Sequence, residues 1–238
     1  MKSALITGGG RRIGGAIARD LAAHGWAVAL QVDGSADQAA SLTGEIVSGG
    51  GRAIAIAADV RQPEACARLL ESAFGLLPGL ELVVINGAIA VDDDARTCCS
   101  SALAEAFAVN AIGPIMMAQR FAALLPEGRT GALVNILDNR ALAPRADYFS
   151  HGVSTLAAFG AMRMLALGLA PRIRVNGIAP GLTPTGLEPT GAATSQVEAS
   201  CTPEEMAGAV RLVAGSPAMT GAVITMNAAG TWNEAADI

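Results

Sequence analysis

At 238 residues the chain fits one α/β domain and leaves little room for a second. Hydrophobic residues make up 52% and charged residues 16%, which excludes a disordered chain and suits a sheet covered by helices on both faces. A net charge of −5 with scattered Arg and Lys speaks against nucleic-acid or anionic-membrane surfaces, which need a clustered basic face, and favours a small-molecule partner.

Short apolar runs alternate with longer helical stretches along the chain. Ser3 to Thr7, Ala27 to Val32, Ala53 to Ala57, Leu80 to Ile85, Ala132 to Leu137, Ile173 to Ile178 and Ala222 to Met226 read as strands. The segments between them are mostly long enough for crossover helices, and Ile13, Ile17, Leu21 and Trp26 follow helical spacing. The expected fold is therefore a doubly wound, Rossmann-type sheet of about seven mostly parallel strands in one domain over 1–238. No repeat or low-complexity linker interrupts it, and Gly181 to Cys201, rich in Thr, Pro and Gly, reads as a surface loop or lid.

The first strand runs into Thr7-Gly8-Gly9-Gly10-Arg11-Arg12-Ile13-Gly14-Gly15, which opens a helix. Glycines there let the backbone approach a pyrophosphate, whose charge meets unpaired N–H groups and the positive helix end. A tight connection without ligand is the alternative. Met1 to Thr7 is already a strand, no apolar run reaches membrane-spanning length, and the expected location is the cytoplasm. Cys66, Cys98, Cys99 and Cys201 lack zinc-binding or disulfide spacing.

Further motifs follow in order: Asp59-Val60, Asn86-Gly87-Ala88, Asn110 on a helix, and Arg174-Val175-Asn176-Gly177-Ile178-Ala179-Pro180-Gly181. Together with the glycine turn they resemble the short-chain dehydrogenase/reductase family over nearly the whole chain. Arg12 and Asp138 resemble the branch containing pteridine and dihydromonapterin reductases. The resemblance implies that Gly8, Arg11, Arg12, Ile13 and Gly14 face cofactor phosphates, Asp59 and Val60 the adenine, Asn86 and Gly87 the neighbouring ribose region, and Pro180 and Gly181 the nicotinamide. Asp33, after the second strand, would accept hydrogen bonds from a free ribose, whereas Arg11 would attract a 2′-phosphate. The cofactor is thus NAD or NADP.

The family pattern of tyrosine and lysine is where the chain departs. Asp147-Tyr148-Phe149-Ser150-His151-Gly152-Val153-Ser154-Thr155 is similar to members reading Asp-Tyr-x-Ser-Tyr-x-x-Ser-Lys, which sets His151 at the tyrosine position and Thr155 at the lysine position. His151 can transfer a proton near neutral pH, with Asp138 orienting or recharging it and Asn110 positioning water. Alternatively, His151 is a polar helix residue left after activity decayed, and Asp138 a capping or turn carboxylate. Ile85 and Ala90 also depart from the pattern, Ala90 where pterin reductases stack an aromatic on substrate. The expected function is an NAD(P)-binding oxidoreductase acting on a small carbonyl or imine compound with an altered proton donor. A non-catalytic nucleotide-binding or scaffold homologue and a non-redox enzyme using the same pocket are the alternatives. The family resemblance also implies a homo-dimer or homo-tetramer, possibly with a homologous subunit.

Overall fold

A computed structural model describes residues 1–10, 12–33, 36–180 and 201–226. Seven strands, β1 (Ser3–Ile6), β2 (Ala27–Val32), β3 (Arg52–Ala57), β4 (Leu80–Ile85), β5 (Gly131–Ile136), β6 (Ile173–Pro180) and β7 (Val223–Met226), form one sheet in the order β3-β2-β1-β4-β5-β6-β7. Every pairing is parallel. The Rossmann-type fold is the one the alternating runs predict. Boundaries move by a residue or two; the largest change is at β6, which continues through Ala179 and Pro180 because these pair with Thr225 and Met226.

The sheet's two faces take alternate residues of each strand, as the pleat requires. Leu5, Val83, Ile85 and Leu133 point to one face, where they meet α3 (Pro63–Leu76), α5 (Gly113–Leu124) and α6 (Phe149–Leu169) through Leu69, Leu70, Met117, Phe121 and Met162. Ala4, Ile6, Leu82, Val84 and Val134 point to the other, against α1 (Arg12–Ala23), α2 (Ala36–Ser48) and α7 (Pro203–Gly215) through Ile17, Leu21, Leu42, Met206 and Val210. Each fully buried Leu, Ile or Met contributes roughly 1.5–3 kcal/mol of apolar transfer.

The Arg174 and Asn176 motif has a structural cause. Arg174 donates from Nη1 to the Val213 carbonyl at 3.1 Å and from Nη2 to the Ala214 carbonyl at 2.8 Å, tying β6 to the carbonyls at the end of α7. Asn176 donates to the Met219 carbonyl at 2.8 Å and accepts from the Ala222 N–H at 3.1 Å, aligning the entry to β7. Two helical stretches, Ser100–Leu124 and Phe149–Leu169, are long and apolar enough to cross a membrane. Polar residues interrupt each, so neither is a continuous apolar run. In this fold both lean on the sheet, through Met117 and Phe121 in one and Met162 and Ala166 in the other.

The first of these stretches is not one regular helix. Between α4 (Ser100–Phe107) and α5 the residues Ala108–Ile112 form a π turn, and the Gly113 N–H bonds to the Ala108 carbonyl five residues back. Pro114 supplies the reason. In a regular helix its ring would strike the carbonyl of Asn110 and offer that carbonyl no N–H. Gly113 is needed because a Cβ there would stand 2.9 Å from the Val60 carbonyl.

Candidate active site

Strand order reverses between β1 and β4, and a crevice opens there at the carboxyl ends of the strands, the usual ligand position in such sheets. A cleft of about 140 Å³ is lined there by residues including Gly8, Gln31, Asp33, Asp59, Val60 and Ile89. Its floor is the glycine turn. A Cβ on Gly14 would lie 2.3 Å from the Gly8 carbonyl oxygen, and one on Gly9 would lie 2.8 Å from the Leu30 side chain. Gly8 itself has φ +59, the left-handed region that favours glycine.

Hydrogen bonds fix this turn from two neighbouring segments. Thr7 Oγ1 accepts from the Asn86 N–H at 3.0 Å and the Gly87 N–H at 3.3 Å, and the Asn86 side chain donates to the Gly8 carbonyl at 3.4 Å. Gln31, almost wholly buried, accepts from the Gly8 N–H with its side-chain oxygen at 2.8 Å and donates to the Ala58 carbonyl at 2.8 Å. The Gly9 N–H goes to the Gln31 backbone carbonyl at 3.0 Å. The first two N–H groups of the turn are therefore committed to Gln31, and donors to a phosphate must come from residues nearer the helix. Gly8 still lines the cleft, with its own N–H bonded to the Gln31 side chain.

Asp59 and Val60 stand at the cleft wall beyond β3. The Arg61 side chain and N–H bond the Asp59 carboxyl, at 2.8 and 3.1 Å, and hold it below the usual carboxylate range. Arg61 also reaches Glu105 at 3.3 Å, so an exposed ion pair rims this end. Asp33 lies at the same cleft, at the end of β2. Gly87 lines it too, while Gly14 and Asn86 shape it by closing the turn. Arg12 and Ile13 begin α1, and Pro180 is buried at the end of β6. Arg11 and Gly181, like all of the suggested Gly181 to Cys201 lid except Cys201, lie outside the described residues.

Ile89 joins this cleft to a second cluster. Its N–H donates to Asn110 Oδ1 at 2.9 Å, and its carbonyl accepts from Asn110 Nδ2 at 2.9 Å, so the amide orientation is fixed. Asn110 donates its other N–H to Ser154 Oγ at 2.9 Å. His151 Nδ1 lies 2.8 Å from the same Ile89 carbonyl, and Nε2 lies 3.1 Å from Asp138 Oδ2. Both ring nitrogens thus face acceptors, and both contacts are satisfied when the imidazole carries two protons. Burial pushes the Asp138 carboxyl up, but hydrogen bonds from His151 and from the Arg140 N–H, with the nearby positive charge, hold it below its ordinary range.

Asp138 caps the short helical turn Asn139–Ala141 through the Arg140 N–H at 2.7 Å, and its other carboxylate oxygen faces His151 Nε2. The His151 side chain is 4% exposed and that of Asp138 26%. Thr155 spends its hydroxyl on the Gly152 carbonyl at 2.9 Å. Sequence reasoning missed Gln31 as a clamp, Ile89 as the shared acceptor, and Asp93, whose buried carboxylate accepts from the Ser150 N–H at 3.0 Å and from its hydroxyl at the start of α6. Gln31 carried a signal, a polar residue inside an apolar strand; the Ile89 carbonyl carried none.

The crowded glycines, the switch-point position and the mixed polar lining fit NAD or NADP. Comparison with known proteins agrees with this architecture. Residues 2–195 match the family model described as short chain dehydrogenase. An uncharacterized oxidoreductase of Methylorubrum extorquens is 33% identical over 245 residues, covering 96% of each chain. The 3-oxoacyl-[acyl-carrier-protein] reductase of Synechocystis is 26% identical over 90% of each. Among solved structures, FolM alternative dihydrofolate reductase 1 from Brucella canis, complexed with NADP, superposes with a TM-score of 0.87 at 31% identity, covering 95% of this chain and 93% of that one. With the family model spanning most of its length and the parallel sheet and glycine turn in place, this chain belongs to the short chain dehydrogenase family.

Proposed function

We propose that the chain is an NAD(P)-dependent oxidoreductase whose proton-handling pair is Asp138 and His151, acting on a small carbonyl or imine compound. The 3.1 Å contact between His151 Nε2 and Asp138 Oδ2, next to Asn110 and joined through Ile89 to the cofactor cleft, carries this reading. The remaining residues of the glycine turn, with Arg11 and Arg12, would hold the phosphates, Asp59 and Val60 the adenine, Asp33 and Gly87 the ribose side, and Pro180 and Gly181 the nicotinamide. A bound nicotinamide would supply or accept the hydride.

The protein's own part is the proton. A proton on Nε2 would face the Asp138 carboxylate, so the pair would hold one mobile proton beside the cleft, and Asn110 keeps Ile89 and Ser154 in place around it. His151 stands where the family resemblance puts a tyrosine, and Thr155 where it puts a lysine. The bonding of Thr155 to its own helix offers no cation to a neighbour. The exposed Met164 and Leu167 on α6 support assembly as a homo-dimer or homo-tetramer, which mass measurement in solution checks. A cytoplasmic location and a single domain over the whole chain complete the proposal.

Titrating NADH and NADPH in one buffer, then screening carbonyl and imine compounds for nicotinamide oxidation, tests the reading. General acid catalysis contributes roughly 10² to 10⁴-fold, so His151→Ala should lose about that much rate while Tyr148→Phe stays close to the parent. One observation favours a binding or scaffold role instead: both His151 nitrogens are engaged within the protein and the ring is nearly covered. That reading expects nucleotide binding without turnover in the parent. Gain of hydride transfer in a His151→Tyr, Thr155→Lys double variant, from an inactive parent, would establish it.

A further inference from the structure

We infer that Arg140 is the positioning residue of the Asp138–His151 pair, fixing the carboxylate from one side and bracing the start of the His151 helix from the other. The inference rests on that pair being the proton-handling group proposed above. Arg140 follows Asp138 by two residues, in the helical turn that Asp138 caps. Its N–H holds Oδ1 at 2.7 Å, and its Nη1 lies 3.5 Å from Oδ2, the same oxygen that faces His151. Both carboxylate oxygens are therefore restrained by one residue.

The guanidinium reaches the helix as well. Its carbon lies 5.1 Å over the centre of the Tyr148 ring, a cation–π distance. Tyr148 is the N-cap of α6, three residues before His151, and it adopts φ 53, a left-handed conformation rare for a non-glycine side chain. Its carbonyl accepts from the Gly152 N–H at 2.8 Å, so the tyrosine is tied to the turn that carries His151. A planar, stacked cation with a fixed fork can serve both contacts together, which an ammonium cannot.

Charges around the pair alternate. His151 faces Asp138 from α6, and Arg140 faces it from its own loop. Behind Arg140 stands Asp147, 3.5 Å from Nη2, and Arg145 holds Asp147 at 2.9 Å. Asp93, on the far side of the α6 start, is committed to Ser150, and Asn110 is neutral. Removing Arg140 takes a cation from the carboxylate and an anchor from Tyr148 at once.

The chain has two histidines, His24 and His151, so ¹⁵N spectra of the imidazoles separate them with one substitution. The parent is expected to show a slowly exchanging His151 Nε2–H, held by the Asp138 carboxylate. In Arg140→Met that N–H signal should be lost while His24 and the backbone spectrum stay unchanged. With an active substrate in hand, kcat should fall roughly 10- to 100-fold with the cofactor KM unmoved, as expected for a displaced catalytic group. The acidic limb of the rate profile should move to higher pH. Asp147→Asn, which removes one partner of the Arg140 guanidinium but none of its contacts to Asp138, should weaken the N–H signal without moving the acidic limb upward. Arg140→Lys, which keeps the charge and loses the fork, should retain the acidic limb and weaken the N–H signal. If Arg140→Met does not fold, the last two variants decide alone. A parent-like ring signal and pH profile in every folded variant would overturn the inference. If the ring signals change as expected but the parent transfers no hydride, Arg140 is still the positioning residue and the proton-handling reading is what fails.

Discussion

Between the glycine turn and the Asp138–His151 cluster, the chain changes from holding backbone with backbone to holding charge with charge. At the turn, Thr7, Gln31 and Asn86 bond main-chain groups at 2.8 to 3.4 Å, and the glycines sit where no side chain fits. At the cluster, Asp138, Arg140, Asp147 and His151 meet through ionisable side chains at 3.1 to 3.5 Å. Shape restrains the first region, and protonation restrains the second. Substitutions that add volume should damage the turn at any pH, and acid should loosen the cluster while sparing the turn.

The largest expected effect is at Gly14. A Cβ 2.3 Å from a backbone carbonyl cannot be relieved by a side-chain rotation, so Gly14→Ala should destabilise by about 3 kcal/mol or more and abolish nucleotide binding. Thermal melts and NADPH titration check it; a folded, binding Gly14→Ala protein would remove the distinction between the regions. Next comes Gln31→Leu, which keeps volume but strands a Gly8 donor and an Ala58 acceptor, each worth roughly 1–3 kcal/mol when buried. Denaturant unfolding should show a loss of about 2 kcal/mol or more with little pH dependence.

The cluster's response has the opposite character. The folded Asp138 carboxyl is depressed, so its contribution is present above the unfolded value, about 3.9, and is lost as pH falls through the folded one. Stability of the parent should therefore fall more steeply in that acid window than stability of Asp138→Asn, measured as unfolding free energy against pH. The smallest effect is a control. Gly152 lies on α6 one residue from His151, with nothing within 4 Å of a Cβ, so Gly152→Ala should stabilise by about 0.5–1 kcal/mol. A loss there would show that the cluster, too, is limited by space.

The sheet was legible because each strand is a short apolar run whose alternate residues serve two covered faces. Gly8, Asp33, Asp59, Val60 and Gly87 were legible as one site because they follow successive strands at the same sheet edge. Asp138, His151 and Asn110 were legible through family resemblance, and their contacts now give that grouping a geometry. Gln31 escaped because the sequence shows a polar residue without showing which turn its amide meets. Ile89 escaped because its part is played by a backbone carbonyl, which every residue has. Asp93 sits in an acidic run, Asp92 to Asp94, and only the return of the chain at Ser150 marks it out.

The π turn at Ala108–Ile112 sets a phase as well as a shape. An α-helix advances about 100° per residue, so one extra residue in a turn rotates everything downstream by that angle relative to everything upstream. Asn110 looks toward Ile89 and Ser154, while Met117 and Phe121, further along, look into the sheet. Were the turn shortened by losing a residue such as Ala111, the two halves of the helix would fall out of step. Either the apolar face of α5 would leave the core, or Asn110 would swing from its partners. An imperfection in the screw is what lets one helix serve a hydrophobic interior and a polar site at different angles.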